Sequence, residues 1–312
     1  FDEPLDPATA GEVDNYRVSG DIKVKKAELT ADGRIVRLVT SPLSAGQTYS
    51  LTVTGLRDRA RAENRIKKRV RKQFSYRAWG RGSLVLMARG EGNARDSSGN
   101  NHHGKETGGV DYSDSGVLGA AFQFPGREGD GENRVDFGDI DALDAPAALT
   151  VAFWFRRTGQ VDATSNHRAS NIMVGQASDS SNDNLEIGTE AGVVQVYFDS
   201  EGGPPTGFYD AGIRNGEWHH LCVTYDAKRK KEAHLFLDGE LVTRWKKWSG
   251  KLDNSGGSPL TLGNTAHNEA PFKGLLDEVI IFTRALEPAE IRALAAQHQA
   301  AGEKNFRSEP PE

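Results

Sequence analysis

The sequence predicts an all-β protein made of two β-sandwich modules with one short helix at the end. Three observations predict it. Short segments alternate apolar and polar residues, the period of a half-buried strand. Turn residues are dense, with 35 Gly among 312 residues and many Asn, Asp and Ser between the alternating runs. The turn vocabulary also changes near residue 80, which divides the chain into a first module over 1–79, a second over 80–301 and a tail over 302–312.

In the first module, TADGRIVRLVT opens on an Asp32-Gly33 turn and sets Ile35, Arg37 and Val39 against Val36 and Leu38. QTYSLTVTGL places Tyr49, Leu51 and Val53 on one face and Ser50, Thr52 and Thr54 on the other. QFSYRAW, Gln73 to Trp79, reads as the last strand. The second module starts from LVLMARGEGN and the turn cluster DSSGNNHHG, Asp96 to Gly104. LTVAFWFRR alternates Val151, Phe153 and Phe155 against Ala152 and Trp154, so both of its faces are apolar. GVVQVYFD, EWHHLCVTYD and AHLFLDGELVTRW continue the strands, the last folding back at Asp238-Gly239. LTLG and LLDEVIIFTRAL follow. EPAEIRALAAQHQ is a helix with Pro288 in its first turn and Ile291, Leu294 and His298 on one stripe. So many short strands at regular spacing predict a two-sheet jelly roll.

Two resemblances sharpen this reading. FDEPLDPATA, Asn15-Tyr16 and TADGRIVRLVTSPLSAGQTYSLTVTGLRDRA resemble bacterial Ig-like domains of cell-surface proteins, beginning inside an early strand, so that this sandwich is truncated. The resemblance implies a spacer. From Ser83 onward, DSSGNxxxG, AFQFxG, LTVAFWF, EWHHLCVTYD, LFLDGELV, FKGLLDEVIIFTRAL and PAEIRAL resemble, in order, the laminin G-like branch of the concanavalin A-like lectin and glucanase superfamily. That implies a jelly roll able to carry lectins, adhesins or enzymes. It also implies a Ca²⁺ held by the N-terminal turn and the Asp of the last strand, which fall on Asp96 and Asp277, with Asn101 and turn carbonyls completing the shell. A set of Asx and backbone hydrogen bonds is the alternative role for the same carboxylates.

Charge and composition exclude several classes. Mean hydropathy is −0.59, and no run approaches the ~20 apolar residues of a membrane span. Net charge is −5; residues 1–80 carry 16 Lys and Arg against 10 Asp and Glu, and the remainder 23 against 34. The basic run Arg57 to Gln73 lacks a nucleic-acid motif and interleaved aromatics, so it reads as a solvated edge strand and turn. The lone Cys222 excludes an internal disulfide or a Cys-based zinc site and reads as a core thiol. The opening residues show no Met, basic start or apolar leader core, as expected of an excised or mature stretch of a secreted or surface protein.

Catalytic patterns are missing: HExxH, GxSxG, a P-loop and CxxC do not occur. Glycoside hydrolysis needs two carboxyls roughly 5–10 Å apart across a cleft. Laminarinase-type relatives carry them as ExDxE on one strand; here NLEIGTEAG has Glu186 and Glu190 without the Asp and reads as a hairpin turn. Asp277-Glu278 are adjacent, hence on opposite faces of a strand. A lyase would need Gln195 and Tyr197 joined by His219 or His220, and its surrounding strings are missing.

Sugar binding needs an aromatic platform with amides and carboxylates beside it. Trp154 and Trp218 fall in core strands, whereas Trp245 and Trp248 in RWKKWSG enter a loop beside Lys246 and Lys247, a setting that suits an anionic glycan. Loops add Phe208, Tyr209, His167, Asn182 and Asp183. The function expected is a non-catalytic, extracellular polysaccharide- or surface-glycan-binding module behind an Ig-like spacer. Protein–protein adhesion is the first alternative, and a polysaccharide-degrading hydrolase or lyase the second.

Overall fold

The computed structural model describes all residues other than 2, 31–32, 42, 45–46, 60–68, 76–82, 127–131, 162–168, 178–182, 201–205, 229–231, 247–249, 253–256, 268–269 and 303–312. The chain divides into two compact units, Phe1–Gly82 and Ser83–Glu312.

The first unit opens with the single-turn helix α1 (Pro7–Ala10), whose Asp6 accepts the Thr9 N–H at 2.9 Å. Five strands follow among its described residues: β1 (Tyr16–Val18), β2 (Val24–Leu29), β3 (Val36–Thr40), β4 (Thr48–Val53) and β5 (Val70–Ser75). They pair antiparallel as β1-β4-β5 and β2-β3. Leu5, Ala10, Tyr16, Val53 and Leu56 form the core, with Val36 and Leu38 packed on it as their parity predicts. The last strand begins at Val70, three residues before the sequence placed it, and so takes in the end of the basic run; its Arg71 and Lys72 are exposed on an edge. Trp79 lies outside the described residues.

The second unit has fifteen further strands among its described residues. In chain order they are β6 (Leu84–Ala88), β7 (Lys105–Thr107), β8 (Asp111–Ser113), β9 (Ala121–Pro125), β10 (Arg134–Asp136), β11 (Ala148–Arg157), β12 (Ile172–Ala177) and β13 (Asp183–Glu190). Then come β14 (Val193–Phe198), β15 (Thr206–Asp210), β16 (Trp218–Asp226), β17 (Glu232–Leu237), β18 (Glu240–Trp245), β19 (Leu260–Leu262) and β20 (Lys273–Phe282). One sheet runs β15-β14-β13-β12-β19-β10-β7; the other runs β18-β17-β16-β11-β20-β9-β8, with β6 also on β20. This is the jelly-roll sandwich that the strand spacing predicts.

The core between the sheets is aromatic. Phe122, Phe124, Phe153, Phe155, Phe198, Tyr225 and Phe272 are all buried in it, each stabilising by about 2 kcal/mol. Period-two alternation sorts the rest. On β11, Val151, Phe153 and Phe155 belong to this core, while Ala152 and Trp154 are buried on the other side. Cys222 is likewise buried, and burial pushes its thiol pKa far up, as an inert thiol requires. Trp218 is only half-buried, with the Arg156 guanidinium 5.2 Å from its ring centroid.

Turn chemistry matches the sequence at Asp238-Gly239, where φ is 51° and 86°. The final helix α2 (Pro288–Gly302) buries Ile291, Leu294 and Ala295. Its first turn is closed by Glu290, which accepts the Glu287 N–H and grips Arg284 bidentately at 2.7 and 2.7 Å.

Candidate functional site

The end of the seven-stranded sheet formed by β13, β14 and β15 carries the most informative surface. NLEIGTE is a continuous strand, not the hairpin turn that Gly188 and Thr189 suggest; the reversal comes later, at Ala191-Gly192, with φ 47° and 89°. Leu185, Ile187, Val194, Val196 and Phe198 enter the core, so Glu186, Gly188, Glu190, Gln195 and Tyr197 face outward. Pairing then lays the outward residues in three rows across the strands: Glu190–Val193–Asp210, Gly188–Gln195–Phe208 and Glu186–Tyr197–Thr206.

Phe208 stands at the edge of this face and is 59% exposed, the most exposed of the large apolar side chains described. Directly across the pair from it is Gln195. The Gln195 amide accepts the Ser170 N–H at 2.6 Å and donates to Glu190 Oε2 at 3.3 Å; the Ser170 hydroxyl also reaches Glu190 Oε2, at 3.5 Å. Ala169 N–H donates to the buried Glu186 at 2.7 Å. Ala169-Ser170 is thus strapped over the sheet, and Gly188 makes room: a Cβ there would stand 2.2 Å from the Ser170 carbonyl oxygen. An exposed ring beside a partly exposed carboxylate, itself held by the buried Gln195 amide, can stack on one face of a sugar and accept from its hydroxyls.

The residues expected to bind sugar are distributed differently. Phe208 is on this face. Tyr209 has the opposite parity and packs on the core. Trp245 is not an open platform: it packs on the core from the edge, with its indole against the Gly207 backbone. Asp183 begins β13. His167, Asn182 and Trp248 lie outside the described residues. Gln195, Glu190 and Ser170 were not expected as a sugar-binding group; the alternation in GVVQVYFD is the signal that sets Gln195 on the outer side of the sheet, where the Ala169-Ser170 segment buries it.

The same frame decides the catalytic alternatives. Glu186 and Glu190 do share a face, but four residues of strand separate them by about 13 Å, too far for a bond-cleaving pair. Gln195 and Tyr197 lie in the seven-stranded sheet, whereas His219 and His220 lie on β16 in the other, so the lyase grouping does not assemble.

A second acidic region bears on Ca²⁺. Asp96 is consumed by its own turn: its carboxylate accepts the N–H groups of Met87, Ser98 and His102 and the Ser98 hydroxyl, at 2.8–3.1 Å. Four donors fill a carboxylate, so Asp96 serves as an Asx turn instead of a ligand. Asn101 sits exposed in that turn at φ 65°. Of the neighbouring histidines, His103 is exposed and accepts the Asp96 N–H. Asp277 is different. It is fully buried; Oδ2 accepts the Leu118 N–H at 3.0 Å, and Oδ1 has no partner. Burial raises its pKa well above the ordinary carboxylate range, and the negative charges of Glu278 and Glu91 raise it further. Glu278 is answered in part by Arg89 at 3.3 Å. A hard cation fits an orphaned buried oxygen among carboxylates. Among the described residues no three Asp, Glu, His or Cys side chains form a cage, so loop carbonyls would have to supply much of the shell.

Comparison with known proteins places this fold. No curated protein sequence matches the chain. Among solved structures it is similar to the binding domain of Paraclostridial Mosquitocidal Protein 1, at 19% identity and TM-score 0.53, over 70% of this chain and 53% of that one. It is also similar to the binding domain of botulinum neurotoxin serotype D, at 15% identity and TM-score 0.52, over 70% and 52%. The binding domain of botulinum neurotoxin DC in complex with SialylT matches at 15%, TM-score 0.52, over 70% and 52%. The chain spans about half the length of these structures, and likenesses at such identity establish the fold alone. The family Laminin_G_3 matches residues 129–292, just over half of the chain, and that stretch holds β10 through the start of α2, including the Phe208 face and Asp277. The chain accordingly belongs to the concanavalin A-like lectin/glucanases superfamily, through its Laminin_G_3 domain.

Proposed function

We propose that the second unit is a non-catalytic carbohydrate-binding module and that glycan is held on the outer face of β13–β15. The observation that carries the reading is Phe208, exposed beside the Gln195–Glu190–Ser170 hydrogen-bond group. Phe208 leaves 59% of its surface in water, and a pyranose or furanose face can cover that apolar area. The similar folds are binding domains, which agrees with a binding role. We read the first unit, five strands in two small sheets, as an Ig-like spacer, and the whole as part of a larger exported bacterial protein.

The reading is tested by affinity electrophoresis of the full chain in gels containing laminarin, linear arabinan or xylan. Retardation by at least one polymer, lost in Phe208→Ala while the melting temperature holds, is the expected result. Equal mobility in every gel, or undiminished retardation of Phe208→Ala, sinks it.

Ca²⁺ belongs to the same proposal as a structural ion. Asp277 Oδ1 would hold it, with Glu91 in place of Asp96 and Asn101 as the second carboxylate. The ion would supply the positive charge that the buried Asp277 lacks; the chain's own part is to keep Leu118 N–H on the other carboxylate oxygen and so fix the direction in which Oδ1 points.

A further inference from the structure

We infer that the Phe208 face selects glycans free of acidic groups, so that neutral and amino sugars bind there and uronates, sialosides and sulfated sugars do not. The inference rests on the glycan-binding reading of that face and adds its charge preference. It departs from the anionic ligand that the lysines beside Trp245 suggest.

Lys and Arg number 39 in 312 residues, one in eight. Yet from Ala169 to Ile213, 45 consecutive residues, there is no Lys, Arg or His, while seven are acidic: Asp179, Asp183, Glu186, Glu190, Asp199, Glu201 and Asp210. This stretch supplies β12, β13, β14 and β15, four adjacent strands of the seven-stranded sheet. The row next to Phe208 carries an acid at each end, Glu190 on β13 and Asp210 on β15. Asp210 is exposed, and its Oδ1 accepts the Gly212 N–H at 3.1 Å, which holds its charge in place.

Arg168, which precedes the stretch, lies outside the described residues; the described cations that border it are aimed elsewhere or lie at its margin. Arg157 is buried, donating to Asn215 Oδ1 and to the hydroxyl of Thr189, a residue of the inward parity on β13. Arg214 follows the stretch in the connection after β15. Adjacent strands are about 4.8 Å apart and adjacent rows about 7 Å, so a sugar stacked on Phe208 has both acids within roughly one Debye length. A carboxylate on that sugar meets two like charges and no cation carried by β12–β15. Neutral hydroxyls can donate to the two carboxylates, and an ammonium group gains attraction from both acids and from the ring.

The test compares retardation of the full chain by laminarin (neutral), polygalacturonate (anionic) and chitosan (cationic) at ~0.1 M salt. Only the part lost in Phe208→Ala is scored, which removes binding through the basic first unit. Laminarin and chitosan are expected to hold the protein at least about tenfold more tightly than polygalacturonate. Asp210→Lys is expected to strengthen Phe208-dependent retention on polygalacturonate several-fold and weaken that on chitosan. Phe208-dependent retention by polygalacturonate equal to that by laminarin, or indifference of both charged polymers to Asp210→Lys, overturns the charge preference while leaving the site standing. If no polymer shows a Phe208-dependent part, the site itself falls.

Discussion

Trp245 lies with its indole against the backbone of Gly207, so closely that a Cβ on the glycine would stand 2.5 Å from Trp245 Cε2. The two residues belong to different sheets, β18 and β15, and their contact closes one edge of the sandwich. It also fixes the parity of β15: with Gly207 inward, Phe208 must point out.

Gly207→Val is therefore expected to destabilise the second unit by about 2 kcal/mol, because the indole packed on the core at that edge must shift to admit the side chain. Trp245→Ala should cost a similar amount by leaving a void at the same edge. Equilibrium urea unfolding measures both. A loss below about 0.5 kcal/mol for each would mean that the edge closes without the pair.

Gly188 is the second sensitive glycine. Gly188→Ala forces the Ser170 carbonyl away and strains the bonds from Ala169 N–H to Glu186 and from Ser170 N–H to Gln195. Faster hydrogen exchange at those two amides, with a stability loss of about 1–2 kcal/mol, is the expected outcome.

His219 gives the molecule a pH response. Its Nδ1 meets Asp238 Oδ2 at 3.0 Å and its Nε2 meets Glu217 at 3.7 Å. The Asp238 hydrogen bond, against the opposing effect of burial, raises the imidazole pKa above its ordinary 6.5. A raised folded value means that the stabilisation is complete below pH 6.5 and fades as pH climbs through the folded pKa. Wild type should lose melting temperature across that interval more than His219→Gln does, and the imidazole resonances should titrate above 6.5. A His219 midpoint at or below 6.5 contradicts the pairing.

Calcium removal is informative because the Asp277 charge has no other neutraliser on Oδ1. Melting in EDTA is expected several degrees below melting in excess Ca²⁺, since a ligand of the native state raises its midpoint. Asp277→Asn should abolish the difference, and Glu91→Gln should reduce it. Identical midpoints for the wild type in the two buffers remove the ion.

The jelly roll was legible because alternation and turn residues report directly on burial: the DG hairpin, the two-faced LTVAFWF strand and the Pro288 helix all stand where their patterns put them. NLEIGTE was misread because its two small residues resemble a turn, when Gly188 serves instead to admit a crossing backbone. That use of glycine depends on a segment distant in sequence, which no local pattern encodes. Asp96 misled for a related reason: an Asx turn and a Ca²⁺ loop draw on the same residues, and only the direction of the neighbouring N–H groups separates them. Trp245 looked like a loop-side platform because it ends a strand, and only its inter-sheet partner shows that the ring faces inward.

The lack of Lys and Arg between Ala169 and Ile213 has a practical side as well. Trypsin finds no cleavage point within those four strands, so complete digestion releases them as one piece, running from after Arg168 to Arg214. Mass-spectrometric footprinting of this half-sheet will need a protease that cuts at acidic or aromatic positions, and Phe208 and Tyr209 are themselves among the available cut points.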